Sequence, residues 1–84
     1  MNNKQRKTLQ AIFDEPTWSD VEWTAVEVML IAAGAKISEG SGSRVRIVLN
    51  GVRAVFHRPH PRKEADKGAV KSMRRFLEAA KVTP

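Results

Sequence analysis

The chain has 84 residues, of which 42% are hydrophobic, which is enough for one compact domain and too many for a disordered segment. The absence of cysteine excludes disulfide bonds and thiolate metal sites, and no apolar run approaches the length of a membrane span. Residues 1–42 hold four basic and six acidic residues, a net charge of −2, whereas residues 43–84 hold eleven and three, a net charge of +8. One strongly basic half favours a polyanionic partner such as nucleic acid.

Two helices are predicted in the acidic half. The first spans residues 3–13, with Asn2 or Asn3 as its cap. The second is predicted to begin at Ser19 and Glu22, whose spacing is that of a capping box, and to end at Gly34. The tryptophans on either side of this box, at positions 18 and 23, have the spacing of a hydrophobic staple, which favours a structural role for both. The N-terminus lacks the apolar run of a signal peptide, so we expect a cytoplasmic protein with no membrane partner.

Three strands are predicted next, at residues 35–39, 44–49 and 52–57. Asn50 and Gly51 join the last two strands and favour a two-residue type I′ turn. In that register one face of the hairpin is apolar and belongs to the core. The other face collects Arg44, Arg46, Arg53 and His57.

A last helix is predicted over residues 67–81, with an apolar stripe through Val70, Met73, Leu77 and Ala80. The element order is therefore α-α-β-β-β-α. This order predicts an α+β domain in which helices cover one face of a three-stranded antiparallel sheet.

The hairpin arginines form one candidate phosphate site, because guanidinium groups bind phosphate in a bidentate way. The start of the last helix is a second one, where free backbone N–H groups near Gly68 and Ala69 would suit a phosphate. The alternative is a charged face that is merely solvated. The residues predicted to bind RNA are Arg44, Arg46, Arg53, Arg58, Lys67, Lys71, Arg74 and Arg75.

His57 and His60 are candidates for proton transfer, because imidazole titrates near neutral pH. A metal-free ribonuclease needs a base for the ribose 2′-OH, cations for the phosphate and an acid for the leaving oxygen. The alternative is that His57 is an ordinary surface strand residue and that the prolines hold His60 in a loop. Two histidines without cysteine are weak support for zinc, so we expect no metal and no cofactor.

Residues 26–82 resemble the HicA family, the small toxins of HicAB toxin–antitoxin modules. The resemblance rests on a helix that ends in glycine, a G-S-x-x segment at residues 40–43, a basic hairpin, H-R-P-H-P at residues 57–61 and a final helix led by lysine and glycine. It implies a fold similar to double-stranded RNA-binding domains, cleavage of mRNA, inhibition of translation and neutralisation by a HicB antitoxin. We expect one such domain over residues 1–84, with an N-terminal helical extension at 1–16 and a core at 19–82.

The chain departs from this family at one position. In that family the turn before the hairpin usually delivers a histidine, thought to be catalytic, and by this match its position falls on Ser43 or Gly42. A serine hydroxyl is not a base near pH 7 without help. Either His57 or His60 then moves the proton, with Ser43 nearby, or this branch binds double-stranded RNA without cutting it. A third hypothesis is a domain whose basic face serves only an acidic protein partner.

Overall fold

The computed structural model describes residues 1–84 and confirms the predicted α+β architecture. The elements in chain order are α1 (Asn3–Phe13), β1 (Val21–Glu22), α2 (Trp23–Ala32), β2 (Lys36–Glu39), β3 (Arg44–Leu49), β4 (Val52–His57), β5 (Glu64–Ala65) and α3 (Lys67–Ala79). Helices α2 and α3 pack on one face of an antiparallel sheet whose strand order is β2-β3-β4, and α1 packs on these two helices. A second, two-stranded pairing joins β1 to β5. No helix is both long and apolar enough to cross a bilayer.

The β3–β4 hairpin has the predicted register. Leu49 pairs with Val52 at the turn and Arg44 pairs with His57 at the open end. Asn50 and Gly51 have φ angles of 49° and 81°, the left-handed conformation that a type I′ turn requires. The alternating residues Val45, Ile47 and Leu49 are buried, so the apolar face of the hairpin lies on the helices as expected.

The core lies between this face and the helices. Met29 and Leu30 of α2 and Met73 and Leu77 of α3 are fully buried in it. Beside them the ring of Phe56 on β4 lies between two other aromatic rings, with centroid distances of 5.9 Å to Trp23 and 5.8 Å to Phe76. Both helices are thus fixed against the strand that carries His57.

The predicted start of α2 is wrong. Val21 and Glu22 pair with β5 instead, and the Trp23 N–H donates to the carbonyl of Lys63 at 2.9 Å. Helix α2 therefore begins at Trp23 with Glu22 as a cap that makes no side-chain hydrogen bond. Neither the Ser19 capping box nor the tryptophan staple applies, because a long-range strand pairing has replaced the local signal.

Helix α1 has the predicted Asn2 cap, and Gln5 completes a capping box. Arg74 of α3 fixes the end of this helix to the rest of the molecule. Its guanidinium donates to the carbonyls of Ile12 at 2.8 Å and Asp14 at 2.9 Å, and it also pairs with Glu15. The N-terminal extension is therefore attached to α3 by hydrogen bonds as well as by apolar packing.

Helix α3 ends two residues before the predicted position. Ala80 is its C-cap, and Lys81 has a φ of 60°, the left-handed conformation that ends a helix. The Asn50 side chain donates from Nδ2 to the carbonyl of Ala80 at 2.8 Å. This bond joins the tip of the hairpin to the end of α3.

Candidate functional site

The solvent-exposed face of the sheet is cationic. The strand registers place Arg44 opposite His57, Arg46 between Ser38 and Val55, and Val48 between Lys36 and Arg53. We call this surface, with Lys36, Arg44, Arg46, Arg53 and His57, the cationic sheet face. Sequence reasoning missed Lys36, because it did not derive the β2–β3 register that brings this lysine onto the face.

The arginines of this face have no acidic neighbour. The ion pairs in the structure are Arg58 with Glu27 and Glu39, Arg62 with Glu64, and Arg74 with Glu15. None involves Arg44, Arg46 or Arg53, although Arg46 donates to the backbone carbonyl of Glu39 at 3.1 Å. Their guanidinium groups are exposed and available to an anion from outside.

A shallow depression lies at one end of the cationic sheet face. It has a volume of about 370 Å³ and is lined by Gly40, Ser41, Arg44, Arg46, Val55 and His57. Two guanidinium groups and one imidazole therefore border the same space. A phosphate there would meet both cations and a group able to move a proton.

A larger groove, of about 790 Å³, runs along the outer edge of β4. Strand β4 forms one wall, α3 forms the opposite wall, and the connection from Arg58 to Asp66 closes one end. We call it the edge groove. Both His57 and His60 line it, so the structure brings the two histidines to one space, and His57 borders the shallow depression as well.

Ser43 lies in the turn before β3 and lines neither space. Its carbonyl accepts a hydrogen bond from the N–H of Arg58 at 2.9 Å. This bond continues the β3–β4 pairing by one step and places the turn beside the residue that follows His57. The Ser43 hydroxyl itself makes no hydrogen bond within the chain.

Arg58 lies between two carboxylates. It binds Glu27 through Nε at 2.9 Å and Nη2 at 3.2 Å, and it binds Glu39 at 2.6 and 2.8 Å. The hydrogen bonds to Glu27 and Glu39 raise the pKa of Arg58, and the hydrogen bond from Arg58 lowers the pKa of Glu39. The charge of Arg58 is thus neutralised by its partners. Through these ion pairs Arg58 also attaches the connection that follows His57 to α2 and β2.

The start of α3 differs from the predicted phosphate site. Asp66 is the N-cap, and its Oδ1 accepts a hydrogen bond from the N–H of Ala69 at 2.8 Å. The Ala69 N–H is therefore not free, because the chain's own carboxylate accepts from it, whereas the Gly68 N–H makes no hydrogen bond within the chain. Lys67 and Lys71 remain exposed and unpaired beside it.

The two arginines in the middle of α3 point in different directions. Arg74 is engaged with α1, as described above, and its side chain is only 17% exposed. Arg75 is exposed, lines the edge groove and donates to Ser72 Oγ at 3.2 Å. Neighbours in sequence therefore differ in availability, because successive helix positions are about 100° apart around the axis. No group of three or more histidine, aspartate or glutamate side chains is placed to hold a metal ion.

Comparison with known proteins gives one match. The model of a family described as the HicA toxin of bacterial toxin–antitoxin systems matches residues 23–82, from the start of α2 to just beyond α3. No curated protein and no solved structure matches the chain.

Proposed function

The chain belongs to the HicA toxin family, and from this premise we propose that it is the RNA-binding toxin of a toxin–antitoxin pair, which cleaves mRNA and stops translation in the cytoplasm. The observation that carries the proposal is the juxtaposition of unpaired arginines with His57 on one exposed sheet face. Family membership brings an antitoxin as partner.

RNA binding is supported by the spacing of the cations. Arg44 and Arg46 are two residues apart on β3, which separates their Cα atoms by about 7 Å on the same face. Arg53 extends the row on the neighbouring strand. A phosphate backbone crossing the face would meet several guanidinium groups, each able to form two hydrogen bonds with one phosphate.

Cleavage is supported by the two histidines. In the proposed reaction one imidazole removes the proton from a ribose 2′-OH, and the resulting oxygen attacks the adjacent phosphorus. The bond from phosphorus to the 5′-oxygen breaks, and the other imidazole gives that oxygen a proton. Arg44 and Arg46 would stabilise the charge that develops on the phosphate. This route uses groups of the chain alone and needs no metal ion.

The test is cleavage of a labelled RNA by purified protein. His57→Ala should lower the rate by about 100-fold or more, the ordinary contribution of a general acid or base. His60→Ala should do the same if the two histidines share the task. Ser41→Ala, an exposed position in the same depression, is the matched control. Full cleavage by the doubly substituted protein would sink the histidine assignment.

A second function is favoured by Ser43. By the family resemblance the usual histidine position falls on Ser43 or Gly42, so the chain could bind double-stranded RNA without cutting it. In that case the wild-type protein shifts the mobility of duplex RNA in a gel and leaves every RNA intact.

A third possibility is a cationic sheet face that binds only a protein partner. It predicts an RNA affinity that is unaffected by charge reversal at Arg44, Arg46 and Arg53.

A further inference from the structure

Strand β4 has a free edge. It is the last strand of the order β2-β3-β4, so only one of its sides is paired. In an antiparallel pair every second residue points its N–H and C=O away from the partner strand. The bond from the Arg58 N–H to Ser43 shows that residues 52, 54, 56 and 58 face β3. The backbone groups of Arg53, Val55 and His57 therefore point outward.

This free edge forms a wall of the edge groove. All six residues of β4 line the groove, which means that the strand presents its edge to the space rather than one of its faces. Helix α3 faces it across the groove, and Phe56 and Phe76 contribute apolar surface. A strand edge opposite a helix is the arrangement that binds an extended peptide by adding it to the sheet.

The charge of the groove selects the kind of peptide. Arg53 on β4 and Arg75 on α3 have no carboxylate partner. Arg62 lies 3.8 Å from Glu64, a long ion pair, and its side chain is 63% exposed. Of the two acids in the lining, Glu64 has this arginine beside it and Asp66 caps α3. Acidic side chains on an added strand would be attracted from both walls.

We propose that an extended acidic segment of the partner antitoxin binds in the edge groove as a fourth strand next to β4. Its backbone pairs with Arg53, Val55 and His57, and its carboxylates approach Arg53 and Arg75. A strand there covers both His57 and His60, so binding blocks the site where cleavage is proposed. The identity of the partner and this blocking effect rest on the proposed function, whereas the strand addition rests on the geometry alone.

The other edge of the sheet offers no comparable site. Strand β2 has four residues against six in β4, it lines neither the edge groove nor the shallow depression, and the Glu39 carboxylate at its end is held by Arg58. RNA is a weaker candidate for the edge groove than a peptide, because a nucleotide chain cannot satisfy a row of alternating N–H and C=O groups spaced for a strand.

Peptide probes on the wild-type protein test the proposal without RNA. The first is a short synthetic peptide in which glutamate and valine alternate, and the second replaces glutamate with lysine. We expect the acidic peptide to bind and the basic one to bind at least about tenfold more weakly. Amide hydrogen exchange should slow at Arg53, Val55 and His57, because their N–H groups become hydrogen-bonded.

Two further variants separate strand pairing from charge attraction. N-methylation of the peptide at the residues that face β4 should weaken binding about tenfold or more, whereas methylation at the alternate residues should not. In the protein, Val55→Pro removes one outward N–H without removing a bond to β3, and proline is tolerated at such edge positions. Val55→Thr keeps the N–H and is the matched control.

The outcomes distinguish this proposal from the proposed function. Equal effects of the two methylation patterns, or unchanged exchange at Arg53, Val55 and His57, would overturn strand addition even if RNA is cleaved. Slower exchange at those amides with a single-stranded oligonucleotide, and none with the acidic peptide, would assign the groove to RNA instead. Peptide pairing by a protein that neither binds nor cuts RNA would leave strand addition standing and overturn the proposed function.

Discussion

The salt dependence of RNA binding gives the sharpest measure of the cationic sheet face. The logarithm of the binding constant falls linearly with the logarithm of the salt concentration. Each phosphate that the protein no longer neutralises makes this slope shallower by about 0.9 on duplex RNA, if the value for duplex DNA applies, or by about 0.7 on a single strand. Replacing Arg44, Arg46 and Arg53 by glutamine keeps a polar side chain at each position and removes three unpaired charges. The triple variant should therefore have a slope shallower by about 2 to 3. Between ~50 and ~200 mM salt, affinity for duplex would fall about 40-fold less than in the wild type.

The assay is fluorescence anisotropy with a labelled RNA over that salt range. Arg6→Gln is the control, because Arg6 is exposed on α1, in the helical layer away from the sheet face. The unfolding temperature of every variant should stay close to that of the wild type, since the substituted side chains lie outside the core. A wild-type slope in the triple variant, or an equally shallow slope in the Arg6 variant, would refute the assignment of RNA to this face.

Three further predictions concern other parts of the molecule. Asn50→Gly should lower the free energy of unfolding, measured in urea, by about 1 kcal/mol, because the hydrogen bond to Ala80 is lost. Asn50→Ala should lower it by about 2 kcal/mol, because alanine also disfavours the left-handed conformation of the turn. Equal losses in the two variants would contradict this explanation. Ser43→His should raise RNA cleavage by about 10- to 100-fold, and an unchanged rate would place residue 43 away from the reacting phosphate. In Arg58→Met the pKa of Glu39, followed by NMR, should rise toward its ordinary value of 4.5. Because this pKa is lowered in the folded wild type, the stability that the Glu39 carboxylate adds is complete above pH 4.5, and it is lost as the pH falls through the lowered pKa of the folded protein.

Sequence reasoning succeeded where the signal was local and the geometry strict. Asn50-Gly51 defined the turn, the turn defined the register, and the register separated Val45 and Ile47 from Arg44 and Arg46. The Asn2 cap was predictable for the same reason, since its partner is three residues away.

The failures concern partners that are distant in sequence. Ser19 and Glu22 have the spacing of a capping box, but Val21 and Glu22 form a strand instead, because they pair with β5, which lies some forty residues further along the chain. The charge of Arg58 is not available to RNA because Glu27 and Glu39 neutralise it, and both carboxylates are too far away in sequence for the local pattern to indicate them. At the N-terminus of α3 the difference is local, because Asp66 caps the Ala69 N–H that was expected to be free.

The alternation of the hairpin divides its sequence into two sets of positions that can change independently. Core residues take the odd numbers in β3 and the even numbers in β4, and the residues in between face solvent. A substitution at Arg44, Arg46 or Arg53 can therefore change the exposed surface while the hydrophobic core stays the same. Toxin and antitoxin could therefore diverge together through substitutions at these solvent-facing positions, while the core of the domain is unchanged.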